Sequence, residues 1–154
     1  MREILFRGQT RRKGEKVWLD GSPVASNWVC GSGVFQGKGN FSTIYQVEPK
    51  LDKCTVYTDT IGQYTGLTDK NGKKIFEGDI VICFDRNAEE TFTAIVEFGN
   101  PNGQYNWGFQ LKPVGKTDLN TDILLWVEME ETGAFIRVVG HIHDNPDLLK
   151  GEKQ

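Results

Sequence analysis

The two histidines of this 154-residue chain stand together, in His141-Ile142-His143-Asp144. In an extended strand, residues two apart share a face, so His141 and His143 would aim two imidazoles at one point. Several metal-dependent hydrolases begin their ligand set this way. A metal needs one or two ligands more, for which Asp79, Asp85 and Glu97 are the acids at hand, and hydrolysis also needs a base and an open coordination position. A plainer use explains the same residues: a turn after a strand, with Asn145 capping a final helix. The plainer use is preferred, and no metal ligand is assigned.

The other candidates weaken in the same way. Glu77 and Asp79 would make a carboxylate pair for acid/base work or a metal, but no histidine or third carboxylate lies near them in sequence. Glu77-Gly78-Asp79 reads more simply as a bend, where Gly permits the turn and Asp hydrogen-bonds backbone N–H groups two residues on. Cys30, Cys54 and Cys83 are odd in number, match no metal spacing and have no helix N-terminus beside them to lower a thiol pKa. Gly31-Ser32-Gly33 with Gly37-Lys38-Gly39 has the glycines of a phosphate-cradling loop without its G-x-G-x-x-G order or following helix. No catalytic or cofactor-binding residue is assigned, and no cofactor is expected.

These residues are set in short strands. Glu3–Gly8, Lys16–Asp20, Phe41–Glu48 and Cys54–Tyr57 have strand composition, and Trp28–Cys30 and Gly33–Phe35 are expected to pair with each other. Asp69-Lys70-Asn71-Gly72 is a tight turn, because Asn and Gly tolerate positive φ. Ile80–Phe84 follows as a β-branched strand. Phe92, Ala94, Val96 and Phe98 alternate onto one face, with Thr93, Ile95 and Glu97 on the other. Asn100–Gly103 is a turn and Tyr105–Leu111 its returning strand. Leu119–Glu131 fits helix and strand equally. Phe135–Gly140 is a strand, and Asn145-Pro146-Asp147 opens a short C-terminal helix. A turn, then E-G-D, then an apolar run is common where a strand enters a small SH3-like barrel. The expected class is therefore mainly β, α+β at most: short antiparallel strands, a C-terminal SH3-like small barrel and a short terminal helix. Residues 1–150 form one domain, with a soft division into an N-terminal β lobe (1–69) and a small-barrel lobe (70–150), and 151–154 fray.

Composition supports this. The chain is 38% hydrophobic and 25% charged, which places it among folded chains, and its 18 Gly, nine Phe, four Trp and four Tyr favour strands. Its formal net charge of −3 argues against a broad electrostatic grip on nucleic acid. Scattered thiols, no N-terminal apolar segment and no long apolar run predict a cytoplasmic protein with no membrane contact.

Three blocks together resemble the YopX family of phage and prophage proteins. They are Met1–Gly8 (MREILFRG), Thr60–Val81 (TIGQYTGLTDKNGKKIFEGDIV) and Val139–Leu149 (VGHIHDNPDLL). Their order and spacing follow the family over nearly the whole chain. Two departures are visible. His141 stands where members read closer to G-N-I-[YH]-[DE]-N-P, and Leu111–Phe135 is longer than usual. The resemblance implies a mainly β fold containing a small barrel, encoded by a mobile element. It carries over no catalytic residue, since no activity is established for the family.

The expectation is thus a non-enzymatic binding module engaging a protein partner or copies of itself, with Trp28, Tyr64, Tyr105 and Trp107 as candidate exposed aromatics. Nucleic-acid binding is the runner-up. It would use Arg2, Arg7, Arg11, Arg12, Lys13 and Lys16 with Phe6 and Trp18, and a second cluster at Lys70, Lys73 and Lys74. A metal-dependent hydrolase built on His141 and His143 comes third.

Overall fold

A computed structural model describes residues 4–10, 18–19, 22–23, 28–46, 52–85, 89–99, 108–115, 121–128 and 134–149. The chain divides into two compact units, Met1–Tyr64 and Thr65–Gln154. The division falls inside a strand, while Lys70, where the sequence suggested a soft boundary, lies in a turn of the second unit.

In the first unit, β1 (Phe6–Gln9), the two-residue β2 (Trp18–Leu19) and β3 (Ser22–Pro23), β4 (Trp28–Gly31), β5 (Gly33–Gln36), β6 (Phe41–Gln46) and β7 (Asp52–Tyr57) are followed by a 3-10 turn at Thr58–Thr60. The chain then enters β8 (Gly62–Thr68), whose opening residues pair antiparallel with β1. β4 lies on the other side of β1, and β5, β6 and β7 make a separate antiparallel sheet. The expected partnership of Trp28–Cys30 with Gly33–Phe35 is therefore corrected, since β4 pairs with β1 and β5 with β6. Glycine explains the arrangement. Gly31 lies so close to β6 that a Cβ would fall on the Tyr45 carbonyl and the Ile44 side chain. The two strands therefore meet backbone to backbone as neighbouring layers. Ile44 and Val56 fill the space between, almost wholly buried. Gln9 N–H, also buried, donates to Thr60 Oγ1 at 2.8 Å.

In the second unit, the end of β8 turns through Asp69–Gly72 into β9 (Lys74–Phe76). β10 (Asp79–Asp85), β11 (Glu90–Gly99), β12 (Gly108–Pro113) and β13 (Ala134–His141) form an antiparallel sheet in the order β12-β11-β10-β13. Ile80, Val81 and Cys83 of β10, Ala94 and Val96 of β11 and Leu111 of β12 are fully buried. Burial of each large aliphatic among them stabilises by about 1.5–3 kcal/mol. The expected small barrel is not closed: β12 and β13 are the sheet's edges among the described residues. A helix, α1 (Ile123–Glu128), packs against both, burying Ile123 and Trp126, with Trp126 edge-on to Phe92 at 5.5 Å. That settles the ambiguous interval as helix where it is described. The alternation of β11 holds for Phe92, Ala94 and Val96, but Phe98 is 59% exposed and stacks edge-on with Phe109. The terminal helix is a single 3-10 turn, Pro146–Leu149. Among the described residues, no helix is long and apolar enough to cross a membrane. The turn at 100–103 and the tail 151–154 lie outside the described residues.

Candidate functional site

Two of the blocks singled out in the sequence meet in the second unit. β10 and β13 run antiparallel with Asp79 opposite His141 and Ile80 opposite Gly140. Between Ile80 and Val81 the register slips, because Val81 faces Val138 and leaves Val139 as the extra residue of a bulge. The Gly78 bend is pinned on both sides: its N–H donates to the Val96 carbonyl at 2.8 Å, and its carbonyl accepts from Ile142 N–H at 3.1 Å. Gly78 has φ 91, and a Cβ there would come within 2.7 Å of His141 Nε2. The imidazole therefore occupies space that only glycine leaves open.

This geometry decides the histidine pair. β13 ends at His141, and both Asp144 and Asn145 N–H groups donate to the His141 carbonyl. His143 thus lies in a turn, beyond the strand alternation that would have aligned the two rings. Its backbone N–H donates to His141 Nδ1 at 3.1 Å, and the rings stack at 5.4 Å. An Nδ1 that accepts a hydrogen bond has spent the lone pair a metal would take. His141 is 6% exposed and Asp79 1%. Asp79 Oδ2 accepts from Phe76 N–H at 2.8 Å, three residues back where the sequence suggested two residues on. Asp85 sits at the far end of β10 opposite Ala134, and the Glu97 carboxylate faces Lys112 Nζ at 4.0 Å. Among the described residues, no group of three or more His, Cys, Asp or Glu side chains is placed to hold a metal ion. Asn145 does not cap forward either: its Oδ1 accepts from His141 N–H at 3.1 Å, turning the final segment back onto β13.

Asp69 does comparable work at the other turn. Its Oδ1 accepts from the N–H groups of Asn71 and Lys73, each at 2.9 Å, and its Oδ2 from Val138 N–H at 2.9 Å. Lys70 N–H donates to the Ile136 carbonyl, and its ammonium lies 4.1 Å from the centre of the Phe135 ring. A groove lined by Asp69, Lys70, Trp126 and Phe135 runs beside this turn. Its space of about 170 Å³, open mouth included, falls short of the roughly 300 Å³ of a small-molecule site.

Other candidates are spread out. The three cysteines are free thiols, and burial pushes the Cys83 thiol pKa far above its ordinary value, leaving it protonated and unreactive. Gly31, Gly33 and Gly37–Gly39 lie in β4, β5 and the turn after β5, with no helix to cradle a phosphate. Arg7 lays its guanidinium 4.8 Å from the Trp28 ring centre. Tyr64 is buried, contrary to the expectation of an exposed ring. Arg2, Arg11, Arg12, Lys13, Lys16, Tyr105, Trp107 and the Trp18 side chain lie outside the described residues.

The exposed rings are others. Phe35 on β5 and Phe41 and Tyr45 on β6 are 64%, 48% and 37% exposed, and all three stand on one face of the three-stranded sheet. The available signal was the alternation of Phe41, Thr43 and Tyr45 against Ser42 and Ile44. Read locally, it does not say which face is inside.

The family model described as YopX protein matches residues 27–150. The opening block, Met1–Gly8, lies ahead of that span. No curated protein matches the chain. Among solved structures, it is similar to protein EF1440 from Enterococcus faecalis, at 22% identity over 97% of this chain and 99% of that one, with a TM-score of 0.45.

Proposed function

This chain belongs to the YopX protein family, and from that premise we propose that it is a non-enzymatic binding module encoded by a phage or prophage. Its working surface is the outer face of the β5-β6-β7 sheet. The observation that carries the reading is the row of large rings left in solvent there, Phe35, Phe41 and Tyr45, on a sheet whose inner face already holds Ile44 and Val56. Large exposed aromatics are the side chains most enriched at binding hot spots. The chemistry-bearing residues elsewhere support it from the other side. Asp69, Asp79 and Asn145 each accept backbone N–H groups through their side chains, and His141 Nδ1 does the same.

The test is capture from a bacterial host lysate on immobilised full-length protein, with and without nuclease treatment, beside light scattering of the free protein. Wild type should retain a component, or self-associate, in a way that Phe35→Ser/Tyr45→Ser abolishes. Equal retention by both proteins, or none by either with a monomer throughout, overturns the proposal.

A further inference from the structure

The register of the β5-β6-β7 sheet fixes what its outer face offers. Cross-strand partners arrange that face in three rows: Gly33, Tyr45 and Lys53; Phe35, Thr43 and Thr55; then Phe41 and Tyr57. The Phe41 and Tyr57 rings pack at 4.9 Å. Lys53 and Thr55 are exposed, and Lys38 is exposed in the turn joining β5 to β6. None of the eight face positions is acidic, although the chain as a whole is. None is aliphatic either, since Val34, Ile44 and Val56 alternate to the opposite face.

That composition selects among occupants. A protein surface docking by apolar burial would be met by aliphatic side chains, which are absent. A second copy seated face to face would set Lys53 near its own counterpart. Rings, hydroxyls and two ammonium groups without a carboxylate suit bases and phosphates. Successive residues on one face of a strand lie about 6.6–6.8 Å apart. A single strand drawn out to about twice the 3.4 Å duplex rise would set successive bases over successive rows. A duplex keeps its bases stacked inside and could offer only phosphates.

We propose that this face binds single-stranded nucleic acid, its bases stacked on Phe35, Phe41 and Tyr45 and its phosphates held by Lys38 and Lys53. The proposal rests on the binding-module reading and names its ligand.

Fluorescence anisotropy of the full chain with a labelled oligothymidylate of about 20 nucleotides, and with a duplex of the same length, tests it at about 50 and about 200 mM salt. Wild type should bind the single strand more tightly than the duplex. Phe35→Leu and Tyr45→Leu keep apolar bulk but lose the π face, and each should weaken binding about 5-fold or more. Phe35→Tyr should restore it. Lys53→Ala should lower the salt slope by about 0.7. Circular dichroism and melting temperature confirm that each variant is folded. No binding by wild type, equal affinity for duplex, or unchanged affinity in the leucine variants overturns the proposal. If oligonucleotide binding fails while Phe35→Ser/Tyr45→Ser still abolishes capture from nuclease-treated lysate, the ligand assignment falls and the binding-module reading stands. If both fail, both fall.

Discussion

At the scale of single residues, the side chains with the most chemical potential are spent on backbone. Asp69 satisfies three N–H groups, two within its own turn and one on β13, 69 residues away in sequence. Such a carboxylate ties a local turn to a distant strand, and its removal leaves amide donors without acceptors in partly buried surroundings. Asp69→Ala should therefore destabilise the protein by about 2–4 kcal/mol in urea unfolding. Asp69→Asn, which keeps one acceptor oxygen, should cost less. A loss under about 1 kcal/mol for alanine would show that water replaces the carboxylate freely. The same logic assigns His141 and Asn145 to the β13 terminus. Both were legible in sequence as residues of interest. Their partners were not, because Gly78 and His141 meet only through the β10–β13 pairing.

At the scale of elements, most strands could be read from composition and alternation, which are local properties. Partner choice could not. Trp28–Gly31 and Gly33–Gln36 are separated by one residue and invite a hairpin, yet they enter different sheets. The reason is steric: Gly31 is pressed onto the β6 backbone, so β4 and β6 stack as layers. Gly31→Ala should force that contact apart and cost about 2–3 kcal/mol, the upper range for overpacking. Gly33→Ala, whose Cβ would meet nothing nearer than Tyr45 Cβ at 3.8 Å, is the matched control. Equal melting temperatures for the two variants would refute the close approach. The small barrel failed as an expectation for a related reason. Strand count and turns suggested closure, but α1 brings Ile123 and Trp126 against both edge strands, and that packing is invisible to periodicity in a six-residue helix.

At the scale of the whole molecule, stability and binding are carried by opposite faces of one sheet. Ile44 is 1% exposed and Phe35 64%. Ile44→Ala should lose about 2–5 kcal/mol of stability, whereas Phe35→Ser should stay within about 0.5 kcal/mol of wild type by thermal unfolding. A large loss from Phe35→Ser would mean that the ring supports the fold and is not held out for a ligand. The amino-acid order alone determined the mainly β class, the turns at Asp69–Gly72 and Glu77–Asp79, and membership of a family, because each rests on short-range pattern. Only the tertiary structure decided that His143 leaves the strand, that Tyr64 goes inside, and that Phe35, Phe41 and Tyr45 stay outside. An alternating strand presents two chemically distinct faces, and which one is buried depends on the layer that packs against it, a layer built from residues elsewhere in the chain.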